Sequence, residues 1–359
     1  MTVSDAGNLW LQRASLEGLE ESTIQQYQQH LRLHIEPLLG NQSLSKLSAP
    51  ILEKFKDQLL RTRSRSLSRK VLTSLKGVCK EALRLGYARI NVAGTVQISR
   101  KSRGMICVAN TQSSSVRIPS KDDIRILIRK SEEMFPIDAE PACKGSGIRA
   151  GTCWHPLVIA AIFTGMRASE LRGLSWDHVD LKNQIIRVRQ RADFKGKLGP
   201  PKSGAGIRDI PMAPLVVNTL GAWRARCPNT ALNIVFPSRN GRIHTNSNIR
   251  KQCWAPLQIA AGIMLPSPSG SDGQQRAQPR FNFHALRHAA ASLFIEQGWQ
   301  PKKVQAIMGH SSIQITFDTY GKLWKDPEAD LAAMAELERR LFGEPKDQGN
   351  VTTVRSGTI

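Results

Sequence analysis

The segment His284-Ala-Leu-Arg-His288 begins a predicted helix that continues to Gln297. Side chains three and four positions apart lie on the same face of a helix, so His284, Arg287 and His288 are expected to share one face. An isolated histidine on an alanine-rich helix usually has a structural role. His284 is therefore a candidate functional residue only because it shares a helix face with Arg287. His288 fits better as a supporting or packing residue.

Three further segments complete the pattern on which the fold assignment depends. They are Thr164-Gly-Met-Arg-Ala-Ser-Glu-Leu171, Pro201-Lys-Ser-Gly-Ala-Gly-Ile-Arg-Asp-Ile-Pro211 and Gly309-His-Ser-Ser-Ile-Gln-Ile-Thr-Phe-Asp-Thr-Tyr320. Arg167 comes at the start of a predicted short helix, where unpaired N–H groups and the helix dipole favour an anion. Gly309 is predicted to close a helix that begins at Pro301, which leaves His310 at a corner between two helices.

In this order and at these spacings, the four segments resemble the catalytic signature of the tyrosine recombinase (phage integrase) family. The resemblance covers residues 118–343, and residues 1–98 resemble the helical core-binding domain of that family. It implies transfer of a DNA phosphodiester to a tyrosine hydroxyl, leaving a 3′-phosphotyrosyl bond and a free 5′-hydroxyl. Because the covalent intermediate keeps the bond energy, no cofactor, metal or nucleotide is expected, and the sequence contains no P-loop.

The resemblance also implies a role for each residue at the reacting phosphate. Arg167 and Arg287 would bind the phosphate, since a guanidinium is planar, always charged and able to donate two hydrogen bonds at once. His284 and His310 would donate hydrogen bonds or carry protons there. Tyr320 would be the nucleophile, with the surrounding cations favouring its phenolate over a phenol of ordinary pKa about 10.

Two further assignments complete this implied site. Lys202 would be the general acid that protonates the leaving 5′-oxygen, although Lys195 and Lys197 are nearby alternatives and a turn lysine with no catalytic role remains open. Glu170 would form an ion pair with Arg167 or a neighbour, and an ordinary exposed helix glutamate is the alternative. His288 would support the site.

Charge is the strongest global feature of the chain. Against 29 acidic residues stand 51 Lys and Arg, a formal net charge of +22, which favours polyanionic partners such as DNA. Residues 61–103 hold twelve basic residues and one acid, Glu81. We predict DNA contacts by nine cations of this region, although a merely solvated helix face is the alternative: Arg65, Arg69, Lys70, Lys76, Lys80, Arg84, Arg100, Lys101 and Arg103.

The predicted fold is mainly α with a small antiparallel β-sheet, an α+β class. We predict a helical DNA-binding domain over residues 1–98, a basic linker over 99–117, a catalytic domain over 118–343 and a flexible tail over 344–359. The sheet is expected from strands at 184–191 and 208–212. Within the first domain, Ser22 and Gln25 predict a capping box, and Pro37 and Gly40 are predicted to end that helix.

A predicted amphipathic helix from Asp330 to Phe342 carries an apolar stripe of Leu331, Met334, Leu337 and Leu341. It could pack on its own domain. The resemblance instead implies docking in trans on a neighbouring subunit, which gives a homotetramer on two double-stranded DNA sites from a free monomer or dimer.

Composition excludes other classes of protein. The longest apolar run, Leu157 to Phe163, has seven residues and is too short for a bilayer, so a cytoplasmic, DNA-associated protein without membrane contact is expected. Six scattered cysteines support neither a disulfide framework nor a zinc ribbon. Within the expected chemistry, an integrase-type element enzyme is favoured. The alternatives are a Xer-like resolvase, a type IB topoisomerase-like enzyme and a DNA-binding protein without catalysis.

Overall fold

A computed structural model describes residues 1–99, 117–138, 152–265, 278–324 and 327–342. The chain divides into two compact units, here called the N-terminal and C-terminal units, between residues 111 and 112. Arg100, Lys101, Arg103, nearly all of the predicted linker and the predicted tail at 344–359 lie outside the described residues.

Helices build the N-terminal unit, and a π-helical turn at Leu31–Ile35 joins the second to the third. They are α1 Val3–Leu16, α2 Glu21–His30, α3 Glu36–Leu39, α4 Ala49–Thr62 and α5 Arg65–Arg84. The longest, α5, buries Val71, Leu75, Val78 and Ala82, the stripe that its three-four spacing predicts. It stops before Gly86, whose φ of +78° an L side chain rarely adopts.

Two predicted boundaries in this unit are wrong. Helix α2 begins at Glu21 with Glu20 as its N-cap, so Ser22 lies inside the first turn and forms no capping box. Pro37 does not end the helix either, because the π-helical turn before it accommodates a residue without an N–H donor. Gly40 does follow the last helical residue, Leu39.

The C-terminal unit is also mainly helical. Its helices are α6 Lys121–Met134, α7 Trp154–Thr164, α8 Ala168–Arg172, α9 Pro214–Arg226, α10 Asn246–Asn248, α11 Ala255–Ala260, α12 Ala285–Glu296, α13 Pro301–Met308, α14 Ile313–Tyr320 and α15 Pro327–Phe342, with a second π-helical turn at Ile249–Trp254. A capping box of Ser120 and Asp123 begins α6. Helix α7 is buried on nearly all sides at the centre of the core, which explains its almost wholly apolar sequence.

Short antiparallel strands complete this unit: β1 Val179–Asp180, β2 Ile185–Val188, β3 Arg191–Ala192, β4 Leu198–Gly199, β5 Arg208–Pro211, β6 Met264–Leu265 and β7 Gln278–Pro279. The predicted pairing is confirmed, with Ile186 opposite Ile210 and Val188 opposite Arg208. Strand β1 adds a third strand, and β3 and β4 form a separate hairpin between the two predicted strands. The mainly helical fold with small antiparallel sheets is thus confirmed. Within the described ranges, no helix has the length and apolarity to cross a bilayer.

Candidate active site

The turn after α7 brings the first arginine to the site. Gly165 ends α7 with φ +61°, a conformation that favours glycine, and a Cβ there would lie 2.8 Å from the sulfur of the Met308 side chain, which would have to move. Two residues later Arg167 occupies the N-cap of α8. Its Nη2 donates to the carbonyl oxygen of Gly309 at 2.7 Å.

Arg287 lies on α12 and is 4% exposed. Its Nη1 donates to the Gly165 carbonyl at 2.6 Å and its Nη2 donates to the Met308 carbonyl at 2.5 Å. Arg287 and Arg167 therefore both join the turn after α7 to the corner after α13. These contacts fix two guanidiniums from distant parts of the chain beside each other.

Glu170 lies behind the two arginines and is 1% exposed. It accepts hydrogen bonds from the Arg167 backbone N–H at 2.9 Å and from Arg167 Nη1 at 2.7 Å. Arg208 Nη2 donates to it at 2.9 Å. Desolvation works against ionisation, but Arg208 and Arg167 outweigh it and hold the pKa of Glu170 below its ordinary value. The alternative of an exposed helix glutamate is thus wrong.

The arrangement has an excess of positive charge. Two guanidiniums, those of Arg167 and Arg208, pair with the carboxylate of Glu170, and the third, that of Arg287, donates to backbone carbonyls. Each guanidinium has five N–H donors, so Arg167 and Arg287 keep donors beyond those just described. Burial, followed by the nearby Arg167, lowers the pKa of Arg287 to about 9, which leaves it charged near neutral pH. Such a site suits an anion with several oxygens, such as a phosphodiester.

The corner after α13 places His310 beside the arginines. Gly309 closes α13 with φ +64°, as predicted, and a Cβ there would lie 2.9 Å from the Ala205 carbonyl oxygen. His310 Nδ1 and the Thr316 hydroxyl lie 2.9 Å apart. Burial and then Arg287 and Arg167 lower the pKa of His310 to about 4, so the ring is neutral at pH 7.

Tyr320 is the last residue of α14 and is 1% exposed. Its hydroxyl lies 2.8 Å from His288 Nδ1, and its ring lies nearly parallel to that of His310 with centroids 6.3 Å apart. Burial raises the pKa of Tyr320 to about 12, although Arg287 lowers it in part. Arg287 thus favours the phenolate in the expected direction, but burial has the larger effect on the pKa of Tyr320 in the single chain.

The two other histidines of the predicted helix face also meet. His284 is the N-cap of α12, and its ring packs edge-on against that of His288 with centroids 4.9 Å apart. Burial and then Arg287 lower the pKa of His288. The structure brings His288, ranked lowest from sequence, into direct contact with the tyrosine hydroxyl.

The three candidate lysines lie on two different segments. Lys195 and Lys197 belong to the turn of the β3–β4 hairpin, where both backbone N–H groups donate to Asp193 at 2.8 Å. Lys202 follows β4 and precedes the 3₁₀ turn Gly204–Gly206, the same turn whose Ala205 carbonyl approaches Gly309. The segment of Lys202 therefore packs against the corner of His310, whereas Gly196, between Lys195 and Lys197, lies beside Ile243.

Sequence reasoning missed several basic residues near the site. Arg208 is buried behind it, and its signal was an arginine at an inward position of the alternating strand β5. A groove of about 630 Å³ includes Ala168 and His284 in its lining and also carries Arg250, Lys251 and Arg280. Arg250 and Lys251 are exposed cations on the turn before α11, so the positive charge continues outward from the site.

The cations predicted on α5 differ in their surroundings. Lys70 and Lys80 are exposed. Arg84 is paired with Glu81 at 2.6 Å, while Arg65 and Arg69 both donate to the Ser99 carbonyl. Arg84, Arg65 and Arg69 thus have partners within the N-terminal unit, whereas Lys76 is half-buried at the edge of the same helix.

Comparison with known proteins identifies the family. Residues 149–325 match the phage integrase family, and residues 2–60 match the phage integrase N-terminal SAM-like domain. An integrase of Streptomyces ambofaciens is 24% identical over 338 residues, covering 89% of this chain and 76% of that protein.

Solved structures share the fold. The Tn1549 transposon integrase in complex with a circular intermediate DNA has a TM-score of 0.70 at 19% identity, covering 94% of this chain and 99% of that one. A lambda integrase tetramer bound to a Holliday junction has a TM-score of 0.60 at 14% identity, covering 87% of this chain and 78% of that one. With both units matched by their family descriptions, this chain belongs to the phage integrase family, the tyrosine recombinases.

Proposed function

We propose that this chain, a tyrosine-type site-specific recombinase by family, cleaves and rejoins double-stranded DNA with Tyr320 as the nucleophile. The observation that carries the proposal is the convergence of Arg167, Arg287 and His310 on the corner that leads into the helix of Tyr320. Fixed cationic donors of this kind stabilise negative charge, which supports the binding of an anion beside the tyrosine.

The bond changes balance without a cofactor. The Tyr320 oxygen attacks phosphorus, its proton passes to a neighbouring base, and the bond from phosphorus to the 5′-oxygen breaks. His288 Nδ1, at 2.8 Å from the hydroxyl, is the base that the geometry favours. Rejoining is the reverse: a 5′-hydroxyl attacks phosphorus and gives its proton to the group that protonated the leaving oxygen, while the bond to the tyrosine oxygen breaks and the base returns the proton to that oxygen.

Arg167 and Arg287 would stabilise the negative charge that develops on the phosphate. Attack places extra negative charge on the equatorial phosphate oxygens, and preorganised donors at those oxygens lower the barrier. Arg167 and Arg287 are already held in place by carbonyl groups, so they need little rearrangement. His310 and His284 would donate further hydrogen bonds to the same phosphate.

The leaving 5′-oxygen requires a proton, and we assign its donation to Lys202. The packing of its loop against Gly309 supports Lys202 over Lys195 and Lys197. The groove cations Arg250, Lys251 and Arg280 would hold the neighbouring DNA backbone.

Mobile-element integration is the biological role that we propose. Support comes from the Streptomyces ambofaciens integrase and the Tn1549 transposon integrase, the latter solved with a circular intermediate DNA. The tetrameric lambda integrase on a Holliday junction supports action as a homotetramer on two DNA sites. In that assembly, α15 would dock in trans on a neighbouring copy.

Covalent trapping tests the proposal. A library of nicked duplexes with inverted, randomised arms is incubated with the full chain, so that a short 5′-hydroxyl fragment diffuses away after cleavage. We expect an SDS-resistant adduct that maps by peptide sequencing to Tyr320. The Tyr87→Phe variant should still form this adduct, and the Tyr320→Phe variant should not. An adduct that persists in Tyr320→Phe, or no adduct with any duplex, would overturn the proposal.

A further inference from the structure

Arg208 is the first residue of β5 and is buried although it is charged. Its Nε donates to the Ile307 carbonyl at 2.5 Å, and its Nη1 donates to the Gly206 carbonyl at 2.9 Å. Both Nη atoms also reach Glu170, at 3.2 and 2.9 Å. One guanidinium therefore ties together three separate segments of the C-terminal unit.

The first segment is the loop that carries Lys202. Gly206 N–H donates to the Ser203 carbonyl at 2.8 Å, which closes the tight turn directly after the lysine. Arg208 holds the same turn through the Gly206 carbonyl. It also lines the site of close approach to Gly309, where a Cβ would lie 2.9 Å from Arg208 Nη1.

The other two segments belong to the phosphate site. Glu170 is shared between Arg208 and Arg167, so it fixes one guanidinium against the other. The Ile307 carbonyl comes just before those of Met308 and Gly309, which accept hydrogen bonds from Arg287 and Arg167. Arg208 thus contacts the supports of the phosphate-binding residues.

The energetic cost of burying this ion pair indicates that stability alone does not explain it. Burying a guanidinium and a carboxylate costs desolvation energy, and well-packed apolar residues at such positions are often as stable or more stable. The charged bridge differs from such an apolar pair in its directional hydrogen bonds, which reach both the loop of Lys202 and the supports of the phosphate site.

We propose that Arg208 is a positioning residue, which places the Lys202 loop so that the lysine can protonate the leaving 5′-oxygen. The inference rests on the proposed function. The proposal gives Arg208 no contact with the reacting atoms. It acts through the Gly206 carbonyl on one side and through Glu170 and the Ile307 carbonyl on the other.

The leaving group provides the test. A duplex whose bridging 5′-oxygen is replaced by sulfur expels a thiolate, and a thiol of ordinary pKa about 8.5 leaves without a proton from the enzyme. Single-turnover adduct formation is measured on the oxygen and sulfur duplexes for the wild type, Arg208→Lys and Arg208→Met. Asp209→Asn, at the exposed neighbouring position, serves as the matched control.

We expect Arg208→Lys, which keeps a cation beside Glu170, to form adduct about 100-fold more slowly on the oxygen duplex, the scale of a lost general acid, but at close to the wild-type rate on the sulfur duplex. Arg208→Met also removes the partner of Glu170, so it should be slower on both duplexes and about 100-fold slower again on the oxygen duplex. Lys202→Ala should behave like Arg208→Lys, and Arg167→Ala should be slow on both duplexes. Equal slowing of the Arg208 variants on both duplexes would overturn the inference. Loss of all adduct in the wild type would instead refute the proposed function itself.

Discussion

The Tyr320 hydroxyl and His288 Nδ1 lie 2.8 Å apart, although the two residues belong to different helices. Burial raises the pKa of Tyr320 to about 12 and lowers the pKa of His288, so both groups are neutral at pH 7. The hydrogen bond between two neutral partners holds the phenol in one orientation. In the proposed reaction, His288 Nδ1 would accept the phenolic proton when the anion arrives.

Removal of the imidazole should slow cleavage without weakening DNA binding. In His288→Ala we expect adduct formation to fall about tenfold, which corresponds to about 1.4 kcal/mol, the scale of one buried hydrogen bond. His288→Asn, whose amide reaches the region of Nδ1, should recover part of the loss. Quenched-flow assays measure the rate of adduct formation, and parallel titrations measure the affinity for DNA. A wild-type rate in His288→Ala would show that the hydrogen bond between His288 and Tyr320 has no part in the chemistry.

The carboxylate of Glu170 should matter more for stability than any surface acid. Glu170→Gln keeps the shape but leaves Arg208 as a buried charge without its anion, and loss of one partner from a buried pair costs about 3–5 kcal/mol. Glu296→Gln, which breaks the exposed pair with Lys121, is the matched control and should change the stability by about 0.5 kcal/mol or less.

Urea unfolding followed by tryptophan fluorescence is a suitable measurement, because Trp10 alone among the seven tryptophans precedes the C-terminal unit. Equal shifts of the urea midpoint in Glu170→Gln and Glu296→Gln would contradict a special stabilising role for the Glu170 carboxylate.

The same carboxylate predicts a dependence on pH. The folded state lowers the pKa of Glu170 below its ordinary value of 4.5. The stabilisation is therefore complete above about pH 4.5 and is lost as the pH falls through the folded-state pKa. Midpoints measured from pH 7 down to pH 3 should converge for the wild type and Glu170→Gln. A constant difference over this range would show that the ionised carboxylate is not the source of the effect.

Much of this architecture could be predicted because local rules decide it. Gly165 and Gly309 end helices with positive φ, and the spacing of Val71, Leu75 and Val78 defines the buried face of α5. The role of Arg208 could not be predicted in that way. Its partners Glu170 and Ile307 lie 38 and 99 positions away, so no local pattern reports them.

The burial of the Tyr320 side chain could not be predicted from local rules either. Cations beside a tyrosine favour the phenolate, but the environment of Tyr320 includes Ala291, Ile295, Val304 and Met308 packed around it. Desolvation by these side chains has the larger effect on its pKa. The proposal of Lys202 over Lys195 and Lys197 likewise rests on the packing of its loop against Gly309, a tertiary contact.

Two cations of α5 should respond differently to substitution. Lys80 is exposed, whereas Arg84 is paired with the buried Glu81. Lys80→Gln should weaken DNA binding and reduce the slope of log affinity against log salt by about 1, since one phosphate contact is lost. Arg84→Gln should change the slope less and lower the stability of the N-terminal unit. Fluorescence anisotropy over a salt series measures the slopes, and identical slopes for both variants would contradict the distinction.

The apolar stripe of α15 predicts where assembly can be broken. Leu331 is 73% exposed and Leu341 is 66% exposed in the single chain, so the stripe is available to another copy. Leu337→Asp should leave binding to one DNA site unchanged but prevent the complex of four protomers on two sites. Ala332→Asp, on the opposite face of the helix, is the matched control and should assemble normally.

Mass photometry of protein mixed with duplex counts the protomers directly, and a plasmid with two sites reports recombination. If Leu337→Asp formed the four-protomer complex as the wild type does, docking of α15 in trans would be wrong. If it instead lowered the urea midpoint of the isolated chain, the stripe would pack on its own unit. Because a buried leucine stabilises a fold by about 2–5 kcal/mol over alanine, that second outcome would be readily detected.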